Sequence, residues 1–151
     1  ISARPQGPTP PRRVVNDAEA NRMTRTRRGT GSSHPFELEY GYRRAVRVGA
    51  HIHVSGTTAR EADLGGDALA QARSALSIVA AALAELGASL ADVVHTRFYI
   101  VDMADLPLVT RAHREAFGEY RPASTLLQVV GLTPQEARVE IEVTAIVADG
   151  A

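Results

Sequence analysis

The stretch that decides the fold is 67-DALAQARSALSIVAAALAELGASLADVVHTRFYIVD-102. Its first part has a helical period: Leu69, Ala72, Leu76, Val79, Leu83 and Leu86 recur at alternating steps of three and four, one apolar stripe along a helix. Asp67 stands where an N-cap belongs, and Gly87 where a left-handed residue ends a helix. Residues 92–101 then turn β-branched and aromatic, which predicts a long strand. A helix with one apolar stripe needs a surface to cover, so this stretch predicts a helix laid on a sheet.

Working upstream, residues 43–48 alternate and pass through Gly49-Ala50 into His51-Ile52-His53-Val54-Ser55, a hairpin signal. Before them, PFELEYG (35–41) predicts a short strand broken at Gly41. Downstream, a second helix is predicted from about Asp105 to Tyr120, with Pro107 tolerable only in its first turn. Leu106, Val109, His113, Phe117 and Tyr120 share one of its faces. Strands follow at 123–130 and 138–147. In the last, Val139, Ile141, Val143, Ala145 and Val147 point one way, and Arg138, Glu140, Glu142, Thr144 and Ile146 the other.

The predicted order is β-β-β-α-β-α-β-β. A strand–helix–strand crossover combined with antiparallel terminal strands implies an α+β domain, a mixed sheet with both helices on one face. The other face must then be solvated or paired. A folded part covering 35–151 has little room for an internal pocket, which predicts a homo-oligomer with its sites between subunits.

Composition narrows the chemistry. The 151 residues are 44% hydrophobic and 23% charged, ordinary for one soluble domain, with no apolar run long enough to span a membrane. The expected location is the cytoplasm. There is no cysteine, and all 17 basic residues are Arg, so thiolate nucleophiles, thiolate metal sites and lysine Schiff bases are excluded together. No cofactor is expected. Catalysis must rest on carboxylates, His, Tyr, hydroxyls, Arg or backbone groups. Residues 1–34 hold seven Arg against Asp17 and Glu19, and RPQGPTPPRR is Pro-rich. This segment reads as a disordered basic leader or cloning remnant, with Met23 a candidate natural start. The remainder is net acidic and only 5% of the chain is aromatic, which argues against a nucleic-acid surface.

Four segments taken together suggest a family. The sequences VRVGAHIHVSGTT (46–58), GASLADVVHTRFYIVDMADLPLV (87–109), RPASTLLQVVGL (121–132) and ARVEIEVTAIVADG (137–150) resemble the RidA family, also called YjgF or endoribonuclease L-PSP. The resemblance covers 36–149. It implies a chorismate-mutase-like fold, a homotrimer and ligand clefts between subunits. It also implies hydrolysis of reactive imines or enamines with release of ammonia.

By resemblance, Tyr42 matches the family tyrosine, Ser55-Gly56-Thr57 its backbone-lined loop, and Glu142 its final-strand carboxylate, while Thr110 stands where an asparagine is expected. Tyr42 and Glu142 are then the catalytic candidates, with Ser55, Gly56, Thr110, His113, Ser124 and Thr125 binding the ligand. Imine deaminases read P-A-R-S, with the arginine gripping a substrate carboxylate. Here the run is Pro122-Ala123-Ser124-Thr125, so Ser124 takes that place. Arg121, three residues earlier, falls on the opposite face of an extended chain. The chain thus resembles an arginine-lacking branch.

Each candidate also has a structural reading. Glu142 is a water-activating base in an interface cleft or an ion-paired strand residue. His113 is a cleft group or a satisfied core histidine. Arg97 and Arg111 are replacement anion anchors or surface residues. His51 and His53 share a strand face, with His95 to be brought in by the fold, yet no carboxylate completes a metal spacing, and sheet packing is the default. Ser124 and Thr125 have no base nearby in sequence, so a catalytic triad is not supported. Two functions follow: a small polar metabolite hydrolysed in an intersubunit cleft, or the same cleft used as a non-catalytic receptor.

Overall fold

A computed structural model describes residues 27–31 and 35–148. The strands are β1 (Arg27–Thr30), β2 (Ala45–Val48), β3 (His51–Thr57), β4 (Val93–Ile100), β5 (Ala123–Gln128) and β6 (Val139–Ile146). The helices are α1 (Pro35–Tyr40), α2 (Ala68–Glu85) and α3 (Leu106–Phe117). They form one mixed sheet in the order β1-β2-β3-β6-β4-β5, with β4 and β5 parallel and every other neighbouring pair antiparallel. The α+β architecture expected from the sequence is present, with α2 and α3 packed on each other and α2 against β3 and β6.

The fold-deciding helix forms as its pattern dictates. Asp67 caps it by accepting from the Ala70 N–H at 2.8 Å. Leu69, Ala72, Leu76, Val79, Leu83 and Leu86 are all buried, and they meet Ile52, Val54, Ile141 and Val143 of the sheet in one core. Truncating a residue such as Leu83, which has no exposed surface, would cost about 2–5 kcal/mol. Gly87 ends the helix at φ +76, and the Ala88 N–H returns to the Leu83 carbonyl at 2.9 Å. Beyond that end, Arg28 and Arg47 donate to the Leu86 carbonyl at 3.1 and 2.6 Å, cations at the negative end of the helix.

One fully buried polar side chain ties the loops together. Gln71 donates to the carbonyls of Leu64 at 2.7 Å and Glu136 at 3.2 Å, and accepts from the Arg138 N–H at 2.8 Å. Arg138 in turn grips the buried Asp105 through two bonds of 2.8 and 2.9 Å.

Four expectations change. Residues 35–40 are a short helix, not a strand: the amides of Gly41 and Tyr42 both bond the Glu37 carbonyl, and Phe36 stacks on Tyr40 at 5.5 Å, an i,i+4 pair. The edge strand falls at 27–30, inside the segment read as a leader. It pairs with β2, and Thr30 bonds Glu85 of α2. Leader positions 1–26, Met23 among them, and 32–34 lie outside the described residues. The second helix ends at Phe117 rather than Tyr120, and β5 at Gln128 rather than residue 130. Among the described residues, no helix is long and apolar enough to cross a membrane.

Candidate functional site

Strand parity distributes the candidate residues between two faces. On β6, Val139, Ile141, Val143 and Ala145 are buried under the helices, so Glu140, Glu142, Thr144 and Ile146 look out from the open face. Cross-strand register adds Arg97 opposite Glu142 and Tyr99 opposite Glu140 on β4, and His53 opposite Thr144 on β3.

At one end of this face β3 bulges between Val54 and Thr57, bringing Gly56 against Glu140. A Cβ on Gly56 would collide with the Glu140 carboxylate, so the absence of a side chain there makes room for the acid. Arg44 closes the other side. It donates to the Gly56 carbonyl and the Thr57 hydroxyl, each at 2.8 Å, and to the Tyr42 hydroxyl at 2.9 Å. The buried Glu37 lies 3.5 Å from Arg44 and holds the guanidinium from behind. Since the Tyr42 oxygen accepts from Arg44, its own proton is free to point into the site. Ser55 donates its hydroxyl to the Arg43 carbonyl at 2.7 Å, leaving its lone pairs as acceptors.

The two carboxylates of β6 differ in kind. Glu142 is bound by Arg97 at 2.7 Å in a partly exposed pair. For Glu140, burial pushes the pKa above the usual carboxylate value, the negative charge of Glu142 adds to this, and Arg44 opposes it. Tyr99 beside them is also raised, first by burial and then by Glu142. By resemblance the family carboxylate is Glu142, and the structure sets Glu140 beside it. Both lie on one strand face, and only their facing residues, Gly56 and Arg97, separate them.

The other candidates gather on the opposite face. Ser124 pairs in register with Thr96, under the helices, while Thr125 lies with Arg97 on the open face. The Thr96 hydroxyl donates to Ser124 at 2.8 Å and lies 3.0 Å from His113 Nε2. His113 packs between Phe98 and Phe117, with centroids 5.2 and 5.0 Å away, and burial lowers its pKa. Thr110 is exposed one turn before it on α3. Tyr42, Gly56 and Glu140 thus form one group, and Ser124 and His113 another, on opposite faces of the sheet.

The remaining candidates are committed elsewhere. Arg111 bonds Glu115 at 3.0 Å, and Arg73 grips the same acid through two bonds of 2.8 Å. Arg97 is held by Glu142, so within a protomer neither it nor Arg111 stands in at Ser124. Arg121 is exposed at φ +50 and uses its N–H to close the helix on the Phe117 carbonyl at 2.8 Å. His51, His53 and His95 lie on the open face, and among the described residues no group of three or more His, Asp or Glu is placed to hold a metal.

Residues 33–147 match the family described as endoribonuclease L-PSP. A Mycobacterium tuberculosis structure described as a member of the YjgF/YER057c/UK114 family is 41% identical with a TM-score of 0.76, covering 80% of this chain and 99% of that one. The 3-aminoacrylate deaminase RutC of Acinetobacter baylyi is 40% identical over 76 residues, 50% of this chain and 60% of the relative. The 2-iminobutanoate/2-iminopropanoate deaminase of Escherichia coli is 29% identical over 111 residues, 70% of this chain and 86% of the relative.

Proposed function

The chain belongs to the endoribonuclease L-PSP (RidA/YjgF) family, and from that premise we propose that it hydrolyses a small imine or enamine in a cleft completed by a second copy of itself. The observation that carries this reading is Glu140: a half-buried carboxylate, raised in pKa, lodged against Gly56 beside the Arg44–Tyr42 pair. An acid with its pKa moved toward neutrality takes and returns protons more readily than an ordinary one.

In this scheme Tyr42 donates to the ligand, and Ser55 and Gly56 border it. Glu140 accepts a proton as a water oxygen bonds to the imine carbon. That proton passes to nitrogen, giving a carbinolamine; its hydroxyl proton then follows to the nitrogen as the C–N bond breaks, so ammonia leaves and the carbon keeps the oxygen as a carbonyl. Glu142 stays bound to Arg97 and contributes its field.

A homotrimer is supported by two features. Among the described residues β5 is an edge strand with no further strand beside it, and Val48, Leu127 and Ile146 are exposed large apolar residues on the open face. Contact between copies across these surfaces would allow the Ser124 group of one subunit to meet the Glu140 group of the next.

Ser124 gives this cleft no cation for a carboxylate, so 2-imino acids should be poor substrates. The uncharged Ser124 also favours a second reading, a receptor that binds without turnover. An amino-acid oxidase supplying 2-imino acids, with ammonia release followed, tests both. Slow turnover that falls about 100-fold in Glu140→Gln and less than about tenfold in Glu142→Gln supports the first reading. Ligand-dependent thermal stabilisation without any product supports the second. Turnover equal to that of an arginine-bearing relative would sink the reading of Ser124.

A further inference from the structure

The hydroxyl of Ser124 does not stand alone. Thr96 has no exposed surface, yet its side-chain oxygen touches two polar groups, Ser124 at 2.8 Å and His113 Nε2 at 3.0 Å. A threonine hydroxyl has one hydrogen, and with Thr96 as donor in the first contact it goes to Ser124. With that hydrogen on Ser124, the tautomer that completes the contact with His113 is the one carrying its proton on Nε2 and donating to Thr96. Ser124 receives a hydrogen bond from behind, is itself exposed, and keeps its own O–H for whatever lies in front.

We infer that His113, Thr96 and Ser124 form a polarised donor chain that selects an uncharged acceptor, a carbonyl or amide oxygen, at the position where a carboxylate-binding cation is missing. His113 and Thr96 are positioning residues that act through Ser124.

Three features argue for selection rather than packing alone. Hydrogen bonds in series polarise one another, so the outer hydroxyl is a better donor than an isolated serine. The imidazole is wedged between Phe98 and Phe117, surroundings that oppose a positive charge, and burial is the only cause lowering its pKa. A neutral chain cannot compensate the desolvation of a carboxylate, whereas an amide oxygen loses little by leaving water for one good donor.

This inference rests on the cleft reading above and names the ligand class of its second half. Pyruvate and pyruvamide, alike in shape and different in charge, are the probes, and their dissociation constants are measured by ligand-observed NMR. Pyruvamide should bind about tenfold more tightly than pyruvate. Thr96→Val should erase that preference and Thr96→Ser restore it, a result that loosened packing would not give. Ser124→Ala, at an exposed position where folding is not at risk, should also erase it, and Ser124→Arg should reverse it. Equal or tighter binding of pyruvate by the unaltered protein, or a preference untouched by both Thr96→Val and Ser124→Ala, overturns the inference and leaves the cleft reading standing. Binding of neither probe overturns both.

Discussion

The carboxylate of Glu140 fills the space that a side chain on Gly56 would occupy. The relation is reciprocal: the bulge in β3 presents a bare backbone, and the acid of β6 uses it. Gly56 is not at positive φ, so alanine is sterically free in its backbone and obstructed only by the acid. Gly56→Ala should leave the fold intact, with stability changed by less than about 1 kcal/mol because the glutamate end can swing away. Activity should fall at least about tenfold. The double variant with Glu140→Gln should be no worse than Glu140→Gln alone, since both changes act on one group. Steady-state rates for the three proteins check this.

Two groups make stability depend on pH in opposite senses. The folded pKa of Glu140 is raised above the ordinary 4.5, so its contribution is full below that value and is lost as pH rises through its folded pKa. His113 is lowered from the ordinary 6.5, so its contribution is present above 6.5 and is lost as pH falls through its folded pKa. Melting curves between about pH 5 and pH 8 should therefore show Glu140→Gln gaining on the unaltered protein toward the alkaline end. His113→Gln should lose less than the unaltered protein on acidification. Parallel pH profiles for all three would contradict both assignments.

The exposed apolar side chains of the open face should report on assembly. Leu127 is 52% exposed on the edge strand, and a charge there should weaken contact between copies without touching the core. In light scattering the unaltered protein should run near three times its 16.1 kDa, and Leu127→Asp nearer one. Loss of catalysis in step with the loss of trimer would support a cleft shared between subunits.

Arg121 answers a question of backbone rather than of binding. It is a non-glycine residue at φ +50, a conformation costing roughly 1 kcal/mol for an L side chain, and its side chain is exposed. Arg121→Gly should leave ligand binding unchanged and stability between unchanged and about 1 kcal/mol higher, the glycine's greater freedom when unfolded offsetting part of the gain. A large loss of binding would restore Arg121 as a ligand anchor.

Most of the fold could be read before it was seen, because α2, β4 and β6 carry long patterns of one period each. The two misread segments are short. Phe36, Leu38 and Tyr40 alternate like a strand, yet their helix forms through bonds to the Glu37 carbonyl and a stack between Phe36 and Tyr40, neither visible in a six-residue pattern. Strand β1 reads RRGT and has no apolar signal, since it pairs through its backbone and sends Arg28 to the end of α2. In the site, Tyr42, Ser55, Gly56 and Ser124 stood out by their motifs. The proposal of Glu140 beside Glu142 needed the bulge in β3, and finding Thr96 needed the register of β4 against β5.

Gln71 gives the placing of Glu140 a mechanical basis. Its amide reaches from α2 to the backbone of Arg138, two residues before Glu140. A slip of one residue in β6 would turn Glu140 inward and bring Ile141 out into the site, since every side chain of a strand changes face together. The helix therefore acts as an index pin for the strand: a buried glutamine outside the proposed cleft sets which side chains of β6 face it.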